Sequence, residues 1–129
     1  MLKNLFIIIP FILAGATHAQ INKADSIIMG TWKGTSLCQQ KNSPCHDETV
    51  VYHITKGKAN NAYDIQANKI VNGVEEDMGI LHCTWDAGKK QLTTNEYGNW
   101  TFNVDGNKIH GKLIHSGDLY RLVEIQKQE

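Results

Sequence analysis

Past its first few residues this chain has no long apolar run, no basic tract, no extended helical pattern and very little proline or cysteine. Each gap removes a class of function. The basic and acidic residues balance at 13 against 13, and no cluster of either sign is long. A nucleic-acid footprint and a polybasic membrane contact both need a cationic face, so neither is expected. Only three cysteines occur, Cys38, Cys45 and Cys83, with no CxxC among them. A dithiol redox motif and a zinc knuckle are therefore unsupported. The histidines that follow the leader, His46, His53, His82, His110 and His115, show neither HxH nor HxxxH spacing. A metal centre needs two or three such groups converging with fixed geometry, and no metal or other cofactor is expected. There is no sign of a linker, a second domain, an internal repeat or a low-complexity segment.

What the chain does have begins with a leader. Met1-Leu2-Lys3-Asn4, the apolar run Leu5 to Leu13 broken by Pro10, and Thr17-His18-Ala19 form the three parts of a secretory signal over residues 1–19. The run is too short to span a bilayer. Cleavage after Ala19 is expected to leave residues 20–129 as a single secreted or periplasmic domain, with no membrane span. An oxidising compartment then permits a disulfide. Cys38 and Cys45 flank the polar loop Gln39 to Pro44 and are the natural pair, and closing so short a loop stabilises by about 2–3 kcal/mol at most. Cys83, in an apolar stretch, reads as a buried free thiol.

The rest alternates with period two and is punctuated by turns. A helical turn over Asp25 to Met29, capped by Asp25 or Ser26, is expected to lay Ile27, Ile28 and Met29 over one end of the sheet. Strand one, about Gly30 to Leu37, puts Trp32, Gly34 and Ser36 on one face. Gly34 permits a neighbouring chain to approach closely. Strand two is Thr49 to Thr55, rich in β-branched and aromatic residues. Strand three alternates Tyr63, Ile65 and Ala67 against Asp64, Gln66 and Asn68. Asn72-Gly73 is the strongest hairpin signal, because both turn positions need positive φ. Strand four, reaching Met78 to Trp85, does not separate its faces: Ile80, His82 and Thr84 oppose Leu81, Cys83 and Trp85. Strand five, about Lys90 to Thr94, carries only Leu92 and looks poorly buried. Strand six sets Trp100, Phe102 and Val104 toward the core, and strand seven sets Ile109, Gly111 and Leu113 against His110, Lys112 and Ile114. The last strand runs from Leu119 to Gln126 with Arg121 in its middle. The expected fold is all-β: an eight-stranded antiparallel up-and-down β-barrel with a short N-terminal helical turn.

Gly30-Thr31-Trp32-Lys33-Gly34 on the first strand and Leu119-Tyr120-Arg121-Leu122-Val123 on the last resemble the corresponding parts of the lipocalin and fatty-acid-binding-protein barrels. The resemblance implies that Arg121 packs over Trp32, a guanidinium held by an aromatic face and backbone carbonyls. It also implies a ligand-carrying interior. This chain is shorter than the secreted lipocalins, and where the fatty-acid carriers have a helical lid it has the Cys38–Cys45 loop.

Two functions follow, neither catalytic. The first is a barrel binding a small apolar molecule in its interior, with Trp32, Tyr63, His82, Trp100, Phe102 and Leu113 as the candidate lining. Of these, His82, flanked by Ile80 and Thr84, reads more readily as a hydrogen-bonded wall residue than as a ligand. The second is a rigid scaffold that grips another protein through the stapled loop, which is already ordered before binding. Glu75-Glu76-Asp77 reads as a solvated charged rim, and Cys45-His46-Asp47-Glu48 as unable to form a nucleophile and base, because neighbours in extended chain do not face each other.

Overall fold

The computed structural model describes residues 22–129; the expected signal over 1–19 and the start at Gln20 lie outside the described residues. These residues form one short helix, α1 (Lys23–Ile28), and eight strands: β1 (Gly30–Cys38), β2 (Glu48–Lys56), β3 (Ala62–Val71), β4 (Val74–Asp86), β5 (Gln91–Thr94), β6 (Asn99–Asp105), β7 (Lys108–His115) and β8 (Asp118–Lys127). Consecutive strands pair antiparallel and β8 closes on β1, so the sheet is the expected up-and-down barrel. No helix among the described residues is long and apolar enough to cross a membrane.

The alternation places the core as read. Trp32 and Ser36 on β1, Tyr63, Ile65 and Ala67 on β3, Phe102 and Val104 on β6, and Ile109 and Leu113 on β7 are all buried. Asn72 and Gly73 take φ of 53° and 79°, the left-handed pair that a two-residue hairpin requires. Gly34 is needed for closure: a Cβ there would run into the Glu124 carbonyl and Ile125 Cα on β8. Because β1 and β8 seal the barrel at this point, the glycine lets the seam form.

Four expectations are corrected. The helix cap is Asn22, whose side chain accepts the Asp25 N–H at 2.8 Å, and neither Asp25 nor Ser26. Only Ile28 of the three residues expected over the barrel end is buried; Ile27 and Met29 remain exposed. Leu92 on β5 is fully buried, because β4 and β6 bring Trp85 and Phe102 opposite it. The faces of β4 do separate, with Leu81 and Cys83 inward and Ile80 and His82 outward.

The two ends of the barrel differ. At one end α1 lies across the opening, and the Trp32 indole donates to the Ile28 carbonyl at 2.9 Å. Asp25, on the inner side of α1, accepts the Tyr63 hydroxyl and lies 3.2 Å from Lys56 Nζ. The Tyr63 hydrogen bond holds the Asp25 carboxyl below its ordinary range, while burial and then Asp25 push the Tyr63 phenol up. The cation on Trp32 is Lys127, not Arg121. Its Nζ sits 5.7 Å from the indole and donates to the carbonyls of Ser26 at 2.8 Å and Ile27 at 3.0 Å. The register explains the correction: Trp32 pairs with Lys127, and Arg121 pairs with Cys38 at the far end of β1.

Candidate functional site

The other end is open. Toward it run the last residues of β1, β3, β5 and β7 and the turns that follow them. The turn between β1 and β2 is stiffened. The disulfide Cys38–Cys45 spans 5.8 Å between Cα atoms. The Cys38 N–H donates to Asp47 Oδ1 at 2.8 Å, the Gln39 N–H to the Tyr120 carbonyl at 2.9 Å, and the Gln40 amide to the Leu119 carbonyl at 2.8 Å. The stapled loop is thereby tied to the start of β8.

Arg121 faces inward beneath this loop. Its Nη1 donates to the Ser36 carbonyl at 3.3 Å, the Ser36 hydroxyl at 3.2 Å and the His46 carbonyl at 3.0 Å, and its Nη2 lies 3.4 Å from Glu48 Oε1. A largely buried guanidinium is tolerated because these oxygens surround it. Arg121 therefore knits β8 to β1 and to the stapled loop, a role that resembles the one implied for it at Trp32 but at the opposite end.

Between Arg121 and the β5–β6 turn lies a cavity of about 140 Å³. Tyr52, Leu81, Trp100 and Leu113 supply its apolar wall, Ser36 and Arg121 its polar edge, and Met78 to Ile80 with Tyr97 its rim. Phe102 is packed below Tyr52 and Trp100. Trp100 stacks on it at 5.3 Å with planes 9° apart, and Tyr52 meets it edge-on at 6.2 Å. Deeper still, Phe102, Ile54, Ile65, Leu92, Tyr63 and Trp32 fill the barrel down to α1. Burial, and then Glu48, push the Tyr52 phenol up, so it stays protonated throughout the physiological range. The Trp100 indole N–H is buried and has no partner among the described residues.

Of the lining read from the sequence, Trp100 and Leu113 reach the cavity. Trp32 and Tyr63 belong to the packed closed end, and Phe102 to the layer between. His82 is removed from the set: it stands on the outer wall with its side chain 64% exposed, 2.7 Å from Asp64. That hydrogen bond raises the His82 pKa above its ordinary value. Period-two counting from Val50 to Ile54 puts Tyr52 inward, so that residue was available to sequence reasoning. Met78 to Ile80 were not, because a bulge between Gln66/Asn68 on β3 and their β4 partners shifts the count there.

Elsewhere the chemistry is spare. Burial pushes the Cys83 thiol up to about 12, so it stays protonated and unreactive. No three His, Cys, Asp or Glu side chains converge as metal ligands among the described residues. No known protein family and no curated protein matches this sequence.

Proposed function

We propose that this chain is an exported, lipocalin-like binding barrel that takes one small apolar molecule at its open end and does no chemistry on it. The observation that carries this reading is the cavity of about 140 Å³ walled by Tyr52, Leu81, Trp100 and Leu113, set above an interior otherwise filled by its own side chains. Its size matches a single aromatic ring or a short branched chain, since an apolar cavity of about 150 Å³ takes a benzene. Export is supported by the leader and by the disulfide, which persists only in an oxidising compartment.

Titration of ¹⁵N-labelled protein with benzene, indole and phenol tests it. A saturable shift of the Trp100 indole resonance is expected, lost when Leu113→Trp fills the cavity. No saturable shift with any of the three refutes the reading. The scaffold alternative has its own support in the tied Cys38–Cys45 loop. It predicts a protein partner whose capture is abolished by replacing Gln39 to Pro44, and it fails if every partner is retained.

A further inference from the structure

Along much of its length β4 has a neighbour on one side only. From Val74 to Cys83 it pairs with β3, whereas its pairing with β5 begins at Thr84 opposite Thr93. β5 is just Gln91–Thr94, and the chain then leaves the sheet through Tyr97 and Gly98, both in left-handed conformation. Among the described residues no strand lies against the second edge of β4 there. The barrel wall thus has a seam beside its open end.

One backbone group shows what the seam lacks. The His82 N–H points into it and is met at 2.9 Å by a carboxylate oxygen of Glu96, a side chain standing where a strand carbonyl would be. By the two-residue repeat of an antiparallel strand, the Ile80 N–H faces the same way. The strip from Glu75 to Leu81 is roughly 20 Å long and bends at the bulge where Gly79 takes φ 115°, so a short added strand would pair on either side of that bend. Its side chains are exposed: Val74, Met78 and Ile80 at 66%, 42% and 45%, with Tyr97 beside them at 79%.

We propose that this seam binds an extended, basic peptide as an added strand of the barrel. The backbone edge calls for an extended chain, because only a strand pairs with successive N–H and C=O groups. Charge selects which chain. Glu75, Glu76 and Asp77 on β4 and Glu96 after β5 leave the seam with more acidic than basic groups: Glu75 is met by His53 and Asn68, Asp77 by Gln66, and Lys69 on β3 stands opposite Glu76. A peptide alternating basic and apolar residues would meet these carboxylates while its apolar side chains cover Met78, Ile80 and Tyr97. A second copy is the poorer occupant, because it would add a second Glu75–Asp77 run and a second Glu96 to an already acidic seam. The seam adjoins the site of the proposed function, because Met78, Ile80 and Tyr97 also form the rim of the Trp100 cavity, but the amide shifts expected on β4 are read separately from the Trp100 indole resonance.

The test uses the full chain, ¹⁵N-labelled, and two fluorescein-labelled nonapeptides, one alternating lysine with valine and the other glutamate with valine. The lysine peptide is expected to bind saturably and about tenfold or more tighter than the glutamate peptide, with amide shifts centred on Glu75 to His82. Ile80→Pro removes the free donor without touching a β3–β4 bond and is expected to weaken binding by up to about tenfold. Should that variant misfold, Glu76→Lys, an exposed change, must narrow the preference between the two peptides. Equal binding of both peptides, shifts mapping elsewhere, or no saturation overturns the proposal. So does slow hydrogen exchange at Ile80 in the free protein, which would mean that a second copy or the chain's own leading segment already covers the edge.

Discussion

The placement of Lys127 rather than Arg121 on Trp32 makes a prediction that separates the two cations cleanly. Lys127 Nζ donates to two carbonyls of α1 and faces the indole at 5.7 Å, so replacing it by methionine removes all three interactions while keeping most of the side-chain volume. Hydrogen bonds from a charged donor contribute about 1.5–3 kcal/mol each when buried, and partial exposure reduces this, so Lys127→Met is expected to cost about 2 kcal/mol in total. For a domain of this size that is a fall in Tm on the order of 10 °C. A double-mutant cycle gives the sharper number. Trp32→Phe combined with Lys127→Met, followed by far-UV circular dichroism in urea, is expected to show a coupling of about 0.5–1 kcal/mol. Arg121 lies six residues earlier on the same strand, roughly 20 Å away, so its cycle with Trp32 should be additive to within about 0.5 kcal/mol. A coupling between Arg121 and Trp32 as large as that of Lys127, or a neutral Lys127→Met, would refute the account of how the closed end is held.

Two further perturbations probe the wall. Gly34→Ala forces a methyl group against the β8 backbone at Glu124 and Ile125 and is expected to cost about 1–3 kcal/mol in urea unfolding, whereas Gly88→Ala, whose Cβ would meet only the Asp86 carboxylate at 3.4 Å, should stay within about 0.5 kcal/mol; equal effects would contradict the tight β1–β8 approach. His82 bonded to Asp64 should titrate by NMR above its ordinary value of 6.5. Because the folded value is the higher, the pair stabilises the fold fully below the unfolded pKa, and that contribution is lost as pH rises through the folded pKa. Asp64→Asn should bring the midpoint back toward 6.5; a wild-type midpoint at or below 6.5 contradicts the pairing.

What could be read in the sequence was whatever a single strand decides for itself. Trp32 with Ser36, Tyr63 with Ile65 and Phe102 with Val104 alternate against polar neighbours, and each burial follows from the two-residue repeat alone. The failures within the sheet all involve a neighbouring strand. Ile80 and Leu81 are equally apolar, and only the way β4 joins the closed barrel decides that Leu81 faces in and Ile80 out. Leu92 looks weak in its four-residue strand, yet Phe102 and Trp85 across the ladder bury it completely. The cation that meets Trp32 is set by the register of β1 on β8, which joins segments about ninety residues apart and leaves no local trace. The cavity was legible in part, through Trp100 and Leu113, while its rim depends on the β4 bulge.

The same strand that misled the family comparison also explains why the two ends of the barrel differ. Arg121, Val123, Ile125 and Lys127 all face inward along β8, so one strand carries a cation to each end of the core. Lys127 finds the carbonyls of a helix, and its end is sealed. Arg121 finds Ser36, His46 and Glu48, which hold the rim of the barrel in place without covering it. Among the described residues no helix lies over this end and β5 is too short to reach the upper part of β4, so a cavity is left above Phe102. Cavity and seam therefore share one cause, the early departure of the chain after Thr94. Lengthening β5 by pairing residues 95–98 with β4 would close both, and it would displace the Glu96 carboxylate from the His82 N–H that it now occupies.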